Sequence, residues 1–185
     1  MDNGASSYRR FLDGDDEGLA DIVREYSDGL TLFLHGIVGD IDLAEELMQE
    51  TLFRLITKKP RFIAKYSFKT WLFTIGRNVA IDHIRRQSRL SDVNVAAVED
   101  ADGALDGVER IYLLEERKIA LHKALQNLSS DYRQTLWLVY FEEMSLREAA
   151  SVMKKSSRQM KNLMYRAKNA LRAIMNQEGF VYEDL

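Results

Sequence analysis

Five carboxylate and amide side chains share one side of a helical segment that begins near residue 42. The stretch DLAEELMQETLFRL places them at i, i+3, i+4, i+7 and i+8: Asp42, Glu45, Glu46, Gln49 and Glu50. Such a face fits an ordinary solvated surface, a docking surface for a basic partner, or a Mg²⁺ site, since magnesium prefers oxygen ligands. Docking is favoured. The metal interpretation is the weakest, because side chains on one straight face fan out and do not converge on a point.

The stretch FKTWLFTIGRNVAIDHIRR, residues 68–86, combines an apolar stripe with many cations. Four apolar residues at helical spacing are predicted to face the core: Trp71, Leu72, Ile75 and Val79. The other positions, with the preceding loop TKKPRFIAKYS, supply the polar side chains of a candidate nucleic-acid surface: Arg61, Lys65, Lys69, Arg77, Asn78, Asp82, Arg85 and Arg86.

Aromatic residues are interleaved with cations in this loop, where Phe62, Tyr66 and Phe68 stand among lysines and an arginine. The mixture is typical of surfaces that bind single-stranded DNA, because cations neutralise phosphates and rings stack on unpaired bases. For any one of the three rings, burial in the core is the favoured alternative. We therefore expect a helix that buries one stripe and presents its other sides to nucleic acid, with Ser67 as its N-terminal cap.

Two capping boxes follow each other closely near the C-terminal end, SLRE from Ser145 and SSRQ from Ser156. In each, the serine and the residue three positions later satisfy exposed amides at a helix start. The short turn between them contains Lys154 and Lys155, and two helices joined in this way predict a helix-turn-helix.

The second helix of this motif has an apolar stripe: Met160, Leu163, Met164, Ala167, Leu171 and Ile174. Its polar residues are of the types that reach base edges and phosphates in the major groove: Arg158, Gln159, Lys161, Asn162, Tyr165 and Arg166. An ordinary amphipathic helix would explain the stripe. It would not explain why residues 154–172 contain no aspartate or glutamate, so DNA binding is favoured.

The net charge of −3 conceals strong segregation of charge along the chain. Residues 1–53 carry 3 basic and 13 acidic side chains, whereas residues 54–90 carry 10 basic and 1 acidic. Residues 91–109 carry 6 acidic and no basic side chains, and residues 144–172 carry 8 basic and 1 acidic. Two basic blocks separated by an acidic stretch indicate two contact surfaces for a polyanion.

Composition excludes several other classes of protein. The chain has 185 residues, 46% of them hydrophobic, no cysteine and three separated histidines. These numbers allow a packed core, exclude disulfides and Cys-ligated zinc, and show no metal-ligand spacing. No apolar run is long enough to cross a membrane and no signal core is visible. We expect a cytoplasmic protein with no metal, no cofactor and no enzymatic activity.

Helical periodicity dominates the whole chain, which predicts an all-α protein with two small helical domains joined by a flexible acidic linker. The predicted limits are 8–88 and 109–176 for the domains, 89–108 for the linker and 177–185 for a tail. Further stripes predicted to face inward are Leu19, Ile22, Val23, Tyr26 and Leu30; Leu43, Leu47, Thr51 and Leu55; and Leu125, Leu128, Leu136, Val139 and Tyr140.

The motifs DLAEELMQETLFRL and FKTWLFTIGRNVAIDHIRR, followed by the helix-turn-helix, resemble a bacterial RNA polymerase sigma factor of the extracytoplasmic-function (ECF) group. The resemblance covers about residues 8–175, and the first two motifs together are highly specific. It implies an alternative sigma factor that binds core RNA polymerase and directs promoter recognition, DNA melting and initiation.

The resemblance also implies roles for the surfaces already named. The N-terminal domain would be sigma domain 2, whose acidic helix docks on the clamp helices of the β′ subunit. Its loop and basic helix would open the minus-ten element, with Arg77 and Asn78 near the flipped base. The linker would thread toward the RNA exit path. The C-terminal domain would be sigma domain 4, which reads the minus-thirty-five element. The β flap and an anti-sigma factor are further partners that the family implies.

Three parts of the sequence depart from the family pattern. Lys154 and Lys155 replace the glycine and apolar residue often found in the turn, and a left-handed non-glycine residue costs on the order of 1 kcal/mol. Residues 159–163 differ from the common Thr-Val-Lys-Ser-Arg run, which leaves the DNA sequence read by this helix open. Gly76 replaces an alanine and is expected to weaken its helix slightly.

Two other functions compete with this reading of the sequence. A stand-alone helix-turn-helix regulator would be a stable dimer that binds duplex DNA tightly without polymerase, but no long dimerisation helix is apparent. A metal-dependent nuclease would use the carboxylates of residues 42–50.

Overall fold

The structure is a computed structural model that describes residues 3–91 and 124–177. Within these ranges the regular elements are helices and none is a strand, which confirms the all-helical prediction. The chain divides into an N-terminal and a C-terminal compact unit. Most of the predicted linker, the start of the second predicted domain and residues 178–185 lie outside the described residues, so the predicted domain limits stay predictions.

Four helices form the N-terminal unit: α1 (Asn3–Leu12), α2 (Asp16–Val38), α3 (Ile41–Lys58) and α4 (Phe68–Ser91). Two aspartates cap the starts of α2 and α3, since the Asp15 side chain accepts from Glu17 N and the Asp40 side chain from Leu43 N. The end of α2 is closed by Gly39, whose φ of 79° is one that glycine adopts readily.

Helix α2 is packed against α1, α3 and α4 and carries much of the core of the unit. The predicted stripe is confirmed at Ile22, Tyr26 and Leu30, which are buried. It is wrong at Val23, which is 39% exposed. Farther along α2, residues 30–34 are all buried, and two of them contact α4: Leu30 lies against Gly76 and Phe33 against Phe73.

Gly18 allows α1 and α2 to approach each other very closely. A Cβ atom at this position would lie 2.3 Å from the backbone oxygen of Ser7 and 2.7 Å from the backbone nitrogen of Phe11. Backbone atoms cannot rotate away as a side-chain end can, so the two helices would have to separate. The ion pairs from Arg10 to Asp15 and Asp21 across the same region are half-exposed and contribute little by comparison.

The C-terminal unit contains a helical segment at residues 124–126, then α5 (Ser130–Leu136), α6 (Leu146–Val152) and α7 (Ser157–Gln177). Between α5 and α6 the chain continues as one π-helical turn, Trp137–Phe141. The core joins residues 124–128 and α5 to the apolar stripe of α7. Its fully or largely buried members are Ala124, Leu125, Leu128, Leu136, Met164, Ala167, Leu171 and Met175.

The π-helical turn changes which side chains face inward after Leu136. The backbone N–H of Glu142 donates to the oxygen of Trp137, five residues earlier, so each residue advances less around the axis than in an α-helix. Trp137 and Leu138 are buried as a result. The prediction that Tyr140 faces inward is wrong, since it is 43% exposed.

Substituting Gly18 with alanine tests the close approach of α1 and α2. We expect Gly18→Ala to lower the free energy of unfolding by about 1–3 kcal/mol, because overpacking forces the backbones apart. Chemical denaturation followed by circular dichroism measures the change. Glu25→Ala, at an exposed position of the same helix, is the control and should leave stability within about 0.5 kcal/mol. Equal stability of Gly18→Ala and the parent chain would contradict the packing described.

Candidate nucleic-acid and partner interfaces

The acidic face of α3, defined as Asp42, Glu45, Glu46, Gln49 and Glu50, is largely open to solvent. The first four side chains are exposed. Glu50 differs, because its Oε1 accepts from Nε of Arg54 at 2.7 Å and the residue is half-buried. On the opposite side of the helix, Ala44, Leu47, Thr51 and Leu55 are buried. The sequence therefore placed the face correctly, except that Glu50 is engaged within its own helix.

Two apolar residues extend this face toward the end of α3, and the sequence analysis missed them. Phe53 is 59% exposed and Ile56 is 38% exposed. With Glu46 and Gln49 they follow the spacing i, i+3, i+7 and i+10, so all four share one side of the helix. That spacing was available in the sequence, but apolar side chains at helical intervals are ordinarily taken for core.

The described part of the chain shows no cluster of side chains that would support the metal-site interpretation. No group of three or more histidine, cysteine, aspartate or glutamate side chains there is placed to hold a metal ion.

The basic loop, residues 59–67, connects α3 to α4 and is fixed at both ends. At its start Lys59 adopts a left-handed conformation, with φ of 39°, and its Nζ lies 5.1 Å from the centre of the Phe11 ring. The Tyr8 hydroxyl donates to the oxygen of Pro60 at 2.8 Å. At its end the Ser67 hydroxyl accepts from Thr70 N at 3.2 Å, which confirms the predicted cap.

The aromatic residues around the loop are divided between core and surface. Phe68 is fully buried, so for this ring the core interpretation is right. Phe62 is half-buried and lies 5.3 Å from Trp71 and 5.7 Å from Phe68, measured between ring centres. Tyr66 is half-buried, with Nζ of Lys65 5.6 Å from its ring centre. Arg61 and Lys65 are exposed, as is Ile63 between them at 70%.

Helix α4 buries a face slightly rotated from the predicted one. Leu72 and Val79 are buried as predicted, whereas Trp71 and Ile75 are only half-buried. The remaining buried positions are Phe68, Thr70, Phe73, Gly76 and Ala80. A small residue is favoured at 76 because a Cβ atom there would lie 2.8 Å from Cδ1 of Leu30. Gly76 thus has a packing role in addition to its expected cost in helix propensity.

The polar side of α4 brings four of the predicted nucleic-acid residues together. Asn78, Asp82, Arg85 and Arg86 follow the spacing i, i+4, i+7 and i+8, and all but the half-buried Asn78 are exposed. Asp82 lies 4.0 Å from Arg85 and its backbone oxygen accepts from Nε of Arg86, so it restrains both cations.

Two predicted residues lie apart from this group. Arg77 is half-buried on the flank of α4. Lys69 is half-buried in the first turn, with Nζ 6.0 Å from the ring centre of Phe73.

The helix-turn-helix, α6 and α7, has both predicted capping boxes. Glu148 N donates to the Ser145 hydroxyl, and Ser145 N donates to Glu148 Oε2 at 3.0 Å. Gln159 N likewise donates to the Ser156 hydroxyl, and Ser156 N donates to Gln159 Oε1 at 2.8 Å. These reciprocal bonds satisfy amides that a helix start otherwise leaves exposed.

The turn between the helices keeps a left-handed residue despite the missing glycine. Lys154 has φ of 53°, and Lys155 N donates to the oxygen of Ala150 at 2.9 Å. This is the bonding of a Schellman helix end. Lys155 also forms an ion pair with Asp131 of α5, with Nζ 2.9 Å from Oδ2. The turn is therefore attached to α5.

The predicted recognition face of α7 is confirmed as a surface, since Arg158, Gln159, Lys161, Asn162, Tyr165 and Arg166 are all exposed. Gln159 also has a structural role, because its side-chain oxygen accepts the Ser156 N–H bond of the capping box. Only its amide NH₂ group remains to donate to a ligand. The opposite side of α7 buries Met160, Met164, Ala167 and Leu171, whereas Leu163 and Ile174 are half-buried.

Comparison with known proteins matches both units. Residues 22–90 match the Sigma-70 region 2 family and residues 118–171 match Sigma-70, region 4. The ECF RNA polymerase sigma factor SigM of Bacillus subtilis is 30% identical over 164 residues, covering 85% of this chain and 94% of SigM. The chain belongs to the ECF sigma factors. It is thus an alternative sigma factor that directs transcription initiation with RNA polymerase.

Two further comparisons agree with this family. SigW of Bacillus subtilis is 29% identical, covering 86% of this chain and 89% of SigW. The sigma factor RpoE from Bartonella quintana, solved in complex with the anti-sigma factor NepR, superposes with a TM-score of 0.65 at 26% identity. That match covers 85% of this chain and 96% of the RpoE chain. In the described part of the ECF chain, no helix is long and apolar enough to cross a membrane.

The left-handed lysine in the helix-turn-helix gives a stability prediction. We expect Lys154→Gly to raise the free energy of unfolding of the C-terminal unit by on the order of 1 kcal/mol, because glycine adopts positive φ without a steric penalty. Differential scanning calorimetry of the full chain measures the change. Lys161→Gly, in the interior of α7, is the matched control and should destabilise by about 1 kcal/mol. A loss of stability in Lys154→Gly would contradict the strain assigned to this residue.

Proposed function

We propose that the surfaces described above divide the work of an initiation factor between them. The acidic face of α3 docks on core RNA polymerase, the basic loop and α4 hold the opened minus-ten element, and α7 reads the minus-thirty-five element. The observation that carries this proposal is the exposure, within one compact unit, of an acidic surface on α3 and a cationic one on the loop and α4. Opposite charges on separate helices allow two different partners to bind at once.

The docking surface combines charge with apolar area. Asp42, Glu45 and Glu46 attract a basic partner and orient its approach. Phe53 and Ile56 then supply apolar area, and burying an aromatic side chain of this kind is what commonly gives an interface its affinity. The β′ clamp helices are the partner that the family implies. Glu50 contributes less, because Arg54 already neutralises it.

The DNA-opening surface consists of the exposed cations of the loop and the polar side of α4. Arg61, Lys65, Arg85 and Arg86 neutralise phosphates of the separated strand. Trp71 and Asn78 lie seven residues apart on one side of α4 and the Phe62 ring packs on Trp71, and we infer that these three side chains stack and hydrogen-bond an unpaired base. Arg77 and Lys69 lie at the margins of this surface. They contact the phosphate backbone of the DNA rather than a base. Asp82 orients the two arginines.

The recognition helix presents cations and amides without competing acids. Arg158, Lys161, Asn162 and Arg166 are of the types that bind base edges and phosphates. Tyr165 adds an exposed ring, at 70%. The capping bond of Gln159 fixes its side chain and limits which base it can read, so we assign this position a role in orienting the helix start as well as in contact.

Further partners follow from the family. We infer that the C-terminal unit contacts the β flap of polymerase. The RpoE structure contains the anti-sigma factor NepR, and we propose that a protein of that kind holds this chain inactive. The chain itself carries no catalytic site in this proposal, and it acts in the cytoplasm where polymerase is. The predicted role of the linker concerns residues outside those described.

The proposed function is tested first by co-elution. Core RNA polymerase from the same organism and the purified chain are mixed and separated by size exclusion, and the complex transcribes a melted-bubble template. Co-elution with template-specific transcripts supports the proposal. Tight duplex binding by a free dimer, without co-elution, would instead indicate a stand-alone regulator.

The acidic face gives a charge-reversal prediction. We expect Glu46→Lys to weaken binding to core polymerase at least tenfold, because it places a cation at the centre of the docking surface. Competition against labelled wild-type chain measures this affinity. Glu25→Lys makes the same charge change at an exposed position of α2 and is the control. If both variants compete as well as wild type, the acidic face has no docking role.

Asn78 gives the matching prediction for DNA opening. Asn78→Ala should slow open-complex formation while leaving polymerase affinity unchanged, because only the contact with the unpaired base is lost. The template is a duplex promoter selected with this holoenzyme from a randomised library, with 2-aminopurine in its minus-ten element to report opening. Asn127→Ala, at an exposed position outside α4 and α7, serves as the control for loss of an amide. A parallel loss of opening and polymerase binding would remove the role assigned to Asn78.

A further inference from the structure

Tyr8, on α1, is a buried and titratable side chain that the surfaces described so far do not use. It is 1% exposed, and burial raises its pKa from 10.0 to about 12. It also lies before residue 22, where the match to the region 2 family begins. Its hydroxyl donates to the oxygen of Pro60, 52 positions away in the chain, at 2.8 Å.

This hydrogen bond is unlike the others at the basic loop. The bonds from Lys65 N to Ile63 and from Thr70 N to Ser67 are local, so they shape the loop without fixing its position relative to the helices. The bond from Tyr8 joins the loop to a different helix. Its acceptor is the carbonyl oxygen of the residue immediately before Arg61, the first cation of the loop's interior.

The Tyr8 ring adds an aromatic connection between the same elements. Its centre lies 5.5 Å from that of Phe68 and 5.3 Å from that of Trp71, both on α4. Phe62, from the loop, packs on these same two rings. Lys59 lies over Phe11, one turn after Tyr8 on α1. Helix α1 therefore contacts both the start of the loop and the start of α4.

We propose that Tyr8 is a positioning residue for promoter opening. Its hydroxyl holds Pro60 and its ring supports the Phe62–Phe68–Trp71 cluster, so that Arg61, Phe62 and Lys65 are presented in one fixed arrangement to the separated strand. The proposal rests on the opening role proposed above for the loop. It makes α1 part of the promoter-opening apparatus.

The alternative is that Tyr8 merely fills the core. Tyr8→Phe separates the two, because it keeps the ring and removes only the hydroxyl, leaving the Pro60 oxygen without this donor. We expect the variant holoenzyme to open the selected 2-aminopurine duplex roughly fivefold more slowly, the population change that one net hydrogen bond represents. Its affinity for core polymerase should equal that of wild type. Trypsin should also cleave the free chain faster after Arg61 and Lys65.

Two further variants make the result decisive. Gly39→Ala puts a side chain at a positive φ at the C-terminal end of α2, where nothing lies within 4 Å, so it lowers stability without pushing on α1 or the loop: its opening rate should stay at that of wild type. Removing both loop cations, Arg61→Ala with Lys65→Ala, tests the loop itself and should slow opening strongly.

Each outcome has a clear reading. Slow opening in Tyr8→Phe and in the double variant, with Gly39→Ala normal, supports the positioning role. Normal opening in Tyr8→Phe with a slow double variant overturns this inference alone. Equal slowing in Tyr8→Phe and Gly39→Ala also overturns it, since stability would then explain both. Normal opening in the double variant overturns the role of the loop, and the inference falls with it.

Discussion

The N-terminal unit depends on the packing of α2 against three other helices. Because α2 covers the apolar side of α3 and of α4, the other side of each of those helices is not needed for the core and faces solvent. Gly18 and Gly76 permit this arrangement. Gly18 lets the backbones of α1 and α2 come into contact, and Gly76 lets α4 pack against the Leu30 side chain. The surfaces proposed to bind polymerase and DNA are thus mainly the sides of helices whose orientation a buried core fixes, and rigid elements hold contact geometry better than loops do.

The basic loop is the part of these contact surfaces that is not helical, and several contacts restrain it. Tyr8, Phe62 and Ser67 fix its start, middle and end. Cations at exposed positions are otherwise free to sample many rotamers, and ordering them on binding costs free energy. Anchoring the backbone beneath Arg61 and Lys65 reduces that cost. On α4, Asp82 contacts the side chains of Arg85 and Arg86, and these exposed contacts contribute much less.

Much of this organisation could be predicted from the sequence. Helical periodicity gave the all-α fold, and charge segregation gave the acidic face of α3 and the polar face of α7, because exposed charged positions follow directly from the period of the helix. The capping boxes at Ser145 and Ser156 were also found, since their residues lie three apart and depend on no distant partner.

The remainder required tertiary structure. Phe53 and Ile56 have the spacing of core residues, and only the packing of the described helices shows that these two side chains stay exposed. Tyr140 was misplaced because a single π-helical bond shifts the register after Leu136. The Tyr8–Pro60 bond joins residues 52 positions apart, beyond the reach of any local pattern. The pairing of Glu50 with Arg54, by contrast, is an i, i+4 contact within α3 that the sequence spacing allows.

The exposed Phe53 has a consequence for the free chain in solution. In about 0.1 M salt the neighbouring carboxylates of α3 repel those of a second copy over about 10 Å. Salt at about 1 M shortens that range to about 3 Å and also strengthens apolar association when the salt is a sulfate. We therefore expect ring-to-ring contact between copies to be favoured in the concentrated salt used to strip nucleic acid from the cationic surfaces, and to be opposed in dilute buffer.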